Sequence, residues 1–587
     1  MSAIGIPDKA AAQLLLTGTE AQAVDVLRQL RASAADQYLF SRVDETTSPG
    51  LTRGRVGMAL LQRHLQQAQT DVDALNLLLK AAQHLSDKET IEWASRRLLK
   101  VEPRNVHAHC ELAKVAHYRG NAAERDGHFD ALIGVLRQLV AERKVDLAVY
   151  LEAVIYNNVI KLQDDEDYAR GKLVHMIPLM DDLGRYVRSL LPELPVPQGN
   201  PNPPAIGFIF PTGVLLAHSK VLLSICEAMH DAGMQLITPM IYVLGEAQPD
   251  FIAAFKACGV PVKVANPAPG PSNSAVVNRL SHLREMLAAD GVRLSTWVSA
   301  PPGTAFFTAA RHAQRQAYWS MKFHGMIAPG IDHYVSCASC WETEKTVHGQ
   351  EWLCGPVSFK DALAGGHPEQ IPAFRARFGA DKILLGVLAR EEKIFSPPYL
   401  DAVAQILESC PQAVFLWSGR VEHAGVRAFF AERGLNDRTP WINWVNTATV
   451  APALDIFLET FPFGCGMTAA QALAAGVPVV DFKDWSSVFG HHLEPLLSGR
   501  AGSDEDRTKV RALFTGSKGQ DCFTMAPDVA GYVAIARRLI EDLDYRREVG
   551  AAGQRFYRAY LGNSAFSAER FAHIFRDLAQ QELRQCA

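Results

Sequence analysis

The sequence predicts an α/β fold made of two Rossmann-like halves, preceded by an all-helical segment. Three observations predict it. Up to about residue 195, apolar residues recur at three- and four-residue spacing, as in AAQLLLTGTEAQAVDVLRQLRAS and DVDALNLLLKAAQHLSD, which is the helical period. From about residue 203, short apolar runs alternate with amphipathic stretches, the pattern of a parallel sheet with helical crossovers. In the second half, the stretch from Asp455, DIFLETFPFGCGMTAAQALAAGVPVVDF, runs from apolar strand through a small-residue loop and an Ala-rich helix into another strand.

Within the helical part, WASRRLLKVEPRNVHAHCELAKVAHYRGNAAE, starting at Trp93, has the look of a tetratricopeptide-type helix pair, with Pro103 and Gly120 at its turns. Only that one unit is clear, and a solenoid needs three or more, so the remainder is either a degenerate repeat or a helical bundle. Such a stack binds a partner protein or serves as support. The segment Glu193–Pro204, ELPVPQGNPNPP, forbids helix or sheet continuation and sets a domain boundary. The predicted domains are 1–195, 203–375 and 380–587.

The first Rossmann-like half is predicted from strand AIGFIF, helix HSKVLLSICEAMHDAG, strands MQLITPMIYVL and VKVANP, helix AVVNRLSHLREMLAADG and strand LSTWVSA. The second begins with strand ILLGVLAR at Ile383, a helix over Pro398–Ser409, strand AVFLWSG, helix HAGVRAFFAERG and strand WINWV. It ends in the stretch from Asp455, and a helical tail follows from about Asp528, including Ser567–Phe575.

A chain of 587 residues, 48% hydrophobic and 21% charged, can build several packed cores. Its net charge of -4 gives no field that gathers nucleic acid or anionic lipid. The N-terminus lacks a basic segment followed by a long apolar core, and no window approaches a membrane span. A soluble, cytoplasmic protein is expected. Ten cysteines in this length fit a reducing compartment better than a disulfide framework. Cys337 and Cys340 form a C-x-x-C followed by His348 and Cys354, spacing that a zinc or iron site uses, although Cys337 ends an apparent buried strand where cysteine serves as small apolar filler.

Candidate chemistry collects at predicted strand ends. In the stretch from Asp455, Gly464 and Gly466 let backbone amides approach a phosphate, Met467 and Thr468 open a helix whose N-terminal dipole points there, and Thr468 adds a hydroxyl. A nucleotide-sugar diphosphate suits such a turn; an ordinary βαβ turn needs the same glycines for geometry alone. After AIGFIF come Thr212, Gly213 and His218, the last either a general base or a histidine satisfied by backbone. After ILLGVLAR come Arg390, Glu391, Glu392 and Lys393, and after AVFLWSG comes Arg420. Lys393 and Arg420 are suited to offset charge on a departing diphosphate, whereas Arg390 and the two glutamates read as solvated loop ends. The segment Arg315–Gly325 brings Trp319, Lys322 and His324 to the cleft side as contacts for acceptor or donor, with its aromatic residues otherwise core.

The succession LAHS, ARHAQRQAYWSMKFH, LAREEKIFSPPYL and LETFPFGCGMT resembles the family 41 glycosyltransferases over about residues 203–560. That family includes the O-GlcNAc transferases, which carry tetratricopeptide repeats, and the bacterial cytoplasmic N-glycosyltransferases of high-molecular-weight adhesins; the second branch is nearer around FPFG. The resemblance implies a GT-B fold. It places His218 on the family's active-site histidine, Lys393 on the lysine that contacts the donor diphosphate, Arg420 on a polar cleft position and Thr468 on the phosphate-contacting loop. Two departures stand out: Gln471 replaces the acidic residue that holds the nucleotide ribose, and Met321, Lys322 and Phe323 replace the G-[HY]-P turn.

The expected activity is an inverting, metal-independent transfer of a hexose or N-acetylhexosamine from a UDP-sugar to a protein side chain. No cofactor beyond the donor substrate is expected. The expected partners are the nucleotide sugar and an acceptor protein such as an adhesin or flagellin, with no nucleic acid and no membrane span. The alternatives are transfer of a heptose or transfer to a glycan, and a catalytically inactive helical-repeat scaffold.

Overall fold

The computed structural model describes residues 7–33, 39, 48–85, 87–162, 166–199, 201–265, 272–298, 301–321, 324–338, 341–379, 381–483 and 487–581. The chain forms two compact units, residues 1–141 with 153–162, and residues 142–152 with 163–587. The division therefore falls earlier than the proline-rich segment, because the long helix Glu166–Leu190 belongs with the second unit.

The first unit is a stack of helices, each started by a capping side chain where the sequence supplies one. Thr19 forms a capping box with Gln22, and Asp71, Asp87 and Asn105 accept from the amides of Ala74, Thr90 and Ala108, satisfying N–H groups that have no intrahelical partner. The helix pair predicted around Pro103 is present as Lys88–Val101 and Val106–Tyr118, and Gly120 turns the chain at φ +70°.

The second unit contains two sheets. The first comprises β1 (Ala205–Phe210), β2 (Thr238–Val243), β3 (Val262–Val264), β4 (Leu294–Val298), β5 (Arg315–Ser320), β6 (His333–Ala338), β7 (Glu344–Val347) and β8 (Gln350–Pro356), in the order β3-β2-β1-β4-β5-β6-β8-β7. All neighbours are parallel except β7, which folds back antiparallel on β8. The second sheet comprises β9 (Ile383–Val387), β10 (Ala413–Trp417), β11 (Ile456–Leu458), β12 (Val479–Phe482) and β13 (Met525–Ala526), parallel throughout in the order β10-β9-β11-β12-β13. β1 and β10 are buried at every position, as expected of strands covered by helices on both faces.

Two expectations change. WINWV forms no strand: Trp441 makes one isolated bridge to Trp417, Asn443 sits at φ +64°, and Trp444 is left exposed. A left-handed residue cannot continue an extended strand. The hairpin of β7 and β8 was not expected. Its turn is His348–Gly349 at φ +54° and +76°, a two-residue turn of the type that suits the twist of paired strands.

The C-terminal helix Ser564–Gln580 returns to the first lobe, where Phe571 packs on Phe208 and Trp319 with ring centroids 5.8 and 5.0 Å apart. On the segment that leads into the second sheet, the Tyr557 hydroxyl donates to Phe359 O at 2.6 Å and accepts from Ala362 N at 3.1 Å. Among the described residues, no helix is long and apolar enough to cross a membrane.

Candidate active site

The stretch from Asp455 folds into β11, a turn over residues 459–466 and the helix Met467–Ala475. Two buried tyrosines fix the end of β11, Tyr399 donating to Leu458 O at 2.9 Å and Tyr532 to Glu459 O at 3.0 Å. The Thr460 hydroxyl donates to Phe463 O at 2.6 Å and tightens the turn. Gly466 is the helix N-cap at φ +48°, ψ -92°, with open space where a Cβ would stand. Its backbone conformation, and not crowding, is what calls for glycine.

Lys393 comes from the carboxyl side of β9, on the short helix Glu391–Ile394, and its Nζ donates to Gly464 O at 2.5 Å. The same ammonium lies 5.2 Å from the centroid of the Phe463 ring. The cation expected for the diphosphate and the turn expected to hold it are thus in contact.

Glu459, at the end of β11, is fully buried. Its Oε1 accepts from the amides of Cys465 at 2.7 Å and Gly466 at 3.3 Å, and its Oε2 from Val488 N at 3.1 Å. The amides of the glycine turn are therefore committed to an internal carboxylate. Donors toward a ligand come from the next residues. Met467 to Ala469 form the first helical turn, whose N–H groups have no i-4 acceptor and carry the positive end of the helix dipole, although Thr468 N also reaches Cys465 O at 3.4 Å. Among the described residues, the Thr468 Oγ1 is buried with no hydrogen-bond partner. Three residues on, along the same helical face, Gln471 donates from Nε2 to Ala362 O at 2.9 Å while its Oε1 is buried without a partner.

Asp481, on β12, is likewise fully buried, and its Oδ2 accepts from Phe489 N at 2.5 Å. Burial, and then the Glu459 charge, push the Asp481 carboxyl well above its usual range. Glu459 is raised by burial but is held down by three amides and by Lys393.

Arg420 is engaged by the two glutamates expected to be solvated. Its N–H donates to Glu391 Oε2 at 2.9 Å, and its Nη2 reaches Glu391 Oε1 at 3.2 Å and Glu392 Oε1 at 2.5 Å. Both glutamates are buried at the side chain, and burial raises the Glu392 pKa. Half of the Arg420 side chain stays exposed.

In the first lobe, His218 lies in the first turn of the helix Ala217–Asp231, half-buried, its ring against Phe210 with centroids 5.9 Å apart and planes at 21°. Ser219 fixes that turn by accepting from Leu216 N at 2.8 Å. Thr212 is exposed. Gly213 donates to Glu246 O at 2.9 Å, and a Cβ there would stand 2.7 Å from that of Ala247; close approach of two backbone segments explains this glycine.

His324 is buried in a structural network. Its amide donates to Glu166 Oε1 at 2.6 Å, its Nδ1 lies 3.2 Å from the same oxygen, and its Nε2 lies 2.6 Å from Ser336 Oγ. Desolvation lowers its pKa. Trp319 is fully buried in the first-lobe core, and Lys322 lies outside the described residues. Cys337 and Cys354 sit on neighbouring strands β6 and β8 with thiols pushed up to about 12 by burial. His348 occupies the hairpin turn and Cys340 lies outside the described residues, among which no three His, Cys, Asp or Glu side chains gather as a metal's ligands.

A cavity of about 440 Å³ separates the lobes, lined by His324, Lys345 and His348 from one and Lys483, His491 and Arg500 from the other.

No family model and no curated protein matches the sequence. Among solved structures, the chain is similar to a Thermobaculum terrenum O-GlcNAc transferase mutant, with a TM-score of 0.57 at 16% identity over 98% of both chains. The chain has the GT-B fold. Weaker likenesses are to a glycosyltransferase from Rickettsia africae (TM-score 0.44, 10% identity, 65% of this chain and 99% of that one). WaaG, a glycosyltransferase of lipopolysaccharide biosynthesis, gives a TM-score of 0.38 at 10% identity over 64% of this chain and all of that one. In such an open α/β arrangement the carboxyl ends of the strands form the ligand crevice, and in this GT-B chain Lys393, Gly464 and Thr468 all stand at those ends.

Sequence reasoning missed Glu459 and Asp481. The available signal was an acid closing each of two apolar strands, IFLE and VVD, where a charge without a partner is costly.

Proposed function

We propose that the protein is an inverting, metal-independent glycosyltransferase of the family 41 kind that moves a hexose or N-acetylhexosamine from a UDP-sugar to a protein side chain. The contact between Lys393 Nζ and Gly464 O carries the reading, because it places a fixed cation against the turn that opens the Met467–Ala475 helix. As the sugar–phosphate bond breaks, negative charge accumulates on the departing diphosphate. Lys393, the first-turn amides and the Thr468 hydroxyl offset it, and being preorganised they need little rearrangement as the charge develops.

His218, across the crevice, receives or positions the acceptor group. Gln471 Oε1, buried without a partner, accepts from a ribose hydroxyl, a bond without charge assistance and correspondingly weaker. The helical first unit presents the acceptor protein. The likeness to an O-GlcNAc transferase over nearly the whole chain supports the assignment.

The test is a melting-temperature screen of the purified protein against UDP, GDP, ADP and their sugars, followed by an assay of nucleotide release. A ligand at 100 times its Kd stabilises by about 2.7 kcal/mol, and UDP and UDP-sugars are expected to give the largest shifts. Preference for ADP-sugars would move the reading to a heptosyltransferase. No shift and no release with any nucleotide would overturn it in favour of a scaffold.

A further inference from the structure

We propose that Glu459 is the positioning residue of the donor site, holding the 464–466 turn so that the diphosphate meets Lys393, Thr468 and the first helical turn. The proposal rests on the donor reading above and adds a residue to it. Its two oxygens act on different segments: Oε1 takes the amides of Cys465 and Gly466, and Oε2 takes the amide of Val488. Val488 begins the helix Val488–His492, whose Gly490 and His491 line the cavity between the lobes. One carboxylate thereby ties the donor turn to the start of the helix that lines this cavity.

Glu459 is fully buried, so its charge needs compensation on the spot. Three backbone donors and the Lys393 cation supply it. Lys393 is in turn oriented by this negative charge and by Gly464 O. Without the carboxylate, the amides of Cys465 and Gly466 lose their acceptor, and Lys393 loses a charge that holds it beside the turn.

Glu459→Gln keeps the shape but offers one acceptor oxygen and sets an NH2 group against backbone donors. Glu459→Asp keeps both acceptor oxygens. Calorimetry with UDP is expected to show affinity about tenfold or more weaker in E459Q and within about threefold of wild type in E459D. A residue with only a structural role would lower the melting temperature and the active fraction while leaving the UDP Kd of the folded protein unchanged. Amide hydrogen exchange gives a second readout that needs no nucleotide: the Cys465 and Gly466 amides are protected in wild type and exchange about tenfold or more faster in E459Q, while β12 is unaffected.

Unchanged UDP affinity in E459Q, or exchange of these two amides at unstructured rates in wild type, would overturn the proposal. If wild type binds no UDP, the donor reading fails by itself and the exchange measurement still decides the role of Glu459. If E459Q does not fold, E459D and the wild-type exchange decide it.

Discussion

The two lobes of the second unit place polar residues at the same location, the carboxyl ends of parallel strands, and put them to different uses. In the first lobe, Gly213 lets two backbone segments touch, and His324 is locked between Glu166 and Ser336. His218 remains half-buried beside Phe210. In the second lobe, Lys393, Gly464 and Thr468 converge on one helix N-terminus, and Thr468 Oγ1 and Gln471 Oε1 are buried without partners. The first lobe also buries unsatisfied polar atoms, such as Thr296 Oγ1 and Trp352 Nε1, so it is their place beside a cation and a helix dipole that marks those of the second lobe as where a ligand completes the hydrogen bonding.

Substitutions in the two lobes are therefore expected to fail in different ways. The largest effect is expected for Lys393→Ala: nucleotide release from a UDP-sugar falls about 100-fold or more, while circular dichroism stays that of wild type. Turnover at the wild-type rate would erase the distinction. Next comes His324→Ala, which removes the buried ring from between Glu166 and Ser336 and is expected to lower stability in chemical denaturation by about 2–4 kcal/mol. The KM for donor in the folded protein should stay within about threefold, and a selective rise in that KM would put His324 in the donor site.

Gly466→Ala meets no atom, yet it forces a residue with a Cβ into a sparsely populated positive-φ conformation at a cost of about 1–3 kcal/mol. It should weaken UDP binding about tenfold with a smaller change in melting temperature. Thr468→Val, which removes only the hydroxyl, should weaken it about three- to tenfold, and Thr468→Ser should restore it.

A further effect, on the pH dependence of stability and not on activity, lies away from both sheets. Glu152 is buried with one partner, Gly303 N at 2.9 Å, and burial pushes its carboxyl from 4.5 up to about 8. The folded state thus keeps a proton that the unfolded state releases, so this contribution to stability is present below pH 4.5 and is lost as the pH rises toward 8. The slope is at most about 1.4 kcal/mol per pH unit. Glu152→Gln should flatten the stability profile across that window; an unchanged profile would show that Glu152 does not titrate there.

The fold was legible wherever one local pattern decided the outcome. The alternation of apolar strands with helices gave both sheets, and Gly466 and Gly476 bounded the helix after β11 because both need positive φ. Lys393 was legible as a cation after β9. What escaped depended on contacts between distant segments. Glu391 and Glu392 read as solvated until Arg420 arrived from another strand, and Glu459 is recognisable only once residues 465 and 488 are brought to it. WINWV has the apolar content of a strand, but left-handed Asn443 ends it, and His348–Gly349 form a hairpin turn.

The most direct test of the donor site is a crystal structure of the protein with UDP. The account predicts the pyrophosphate within hydrogen-bond reach of Lys393 Nζ, Thr468 Oγ1 and the amides of the first turn of the Met467–Ala475 helix, with the Cys465 and Gly466 amides still on Glu459. A nucleotide bound elsewhere, or a pyrophosphate that leaves Lys393 on Gly464 O and touches none of these groups, would contradict it.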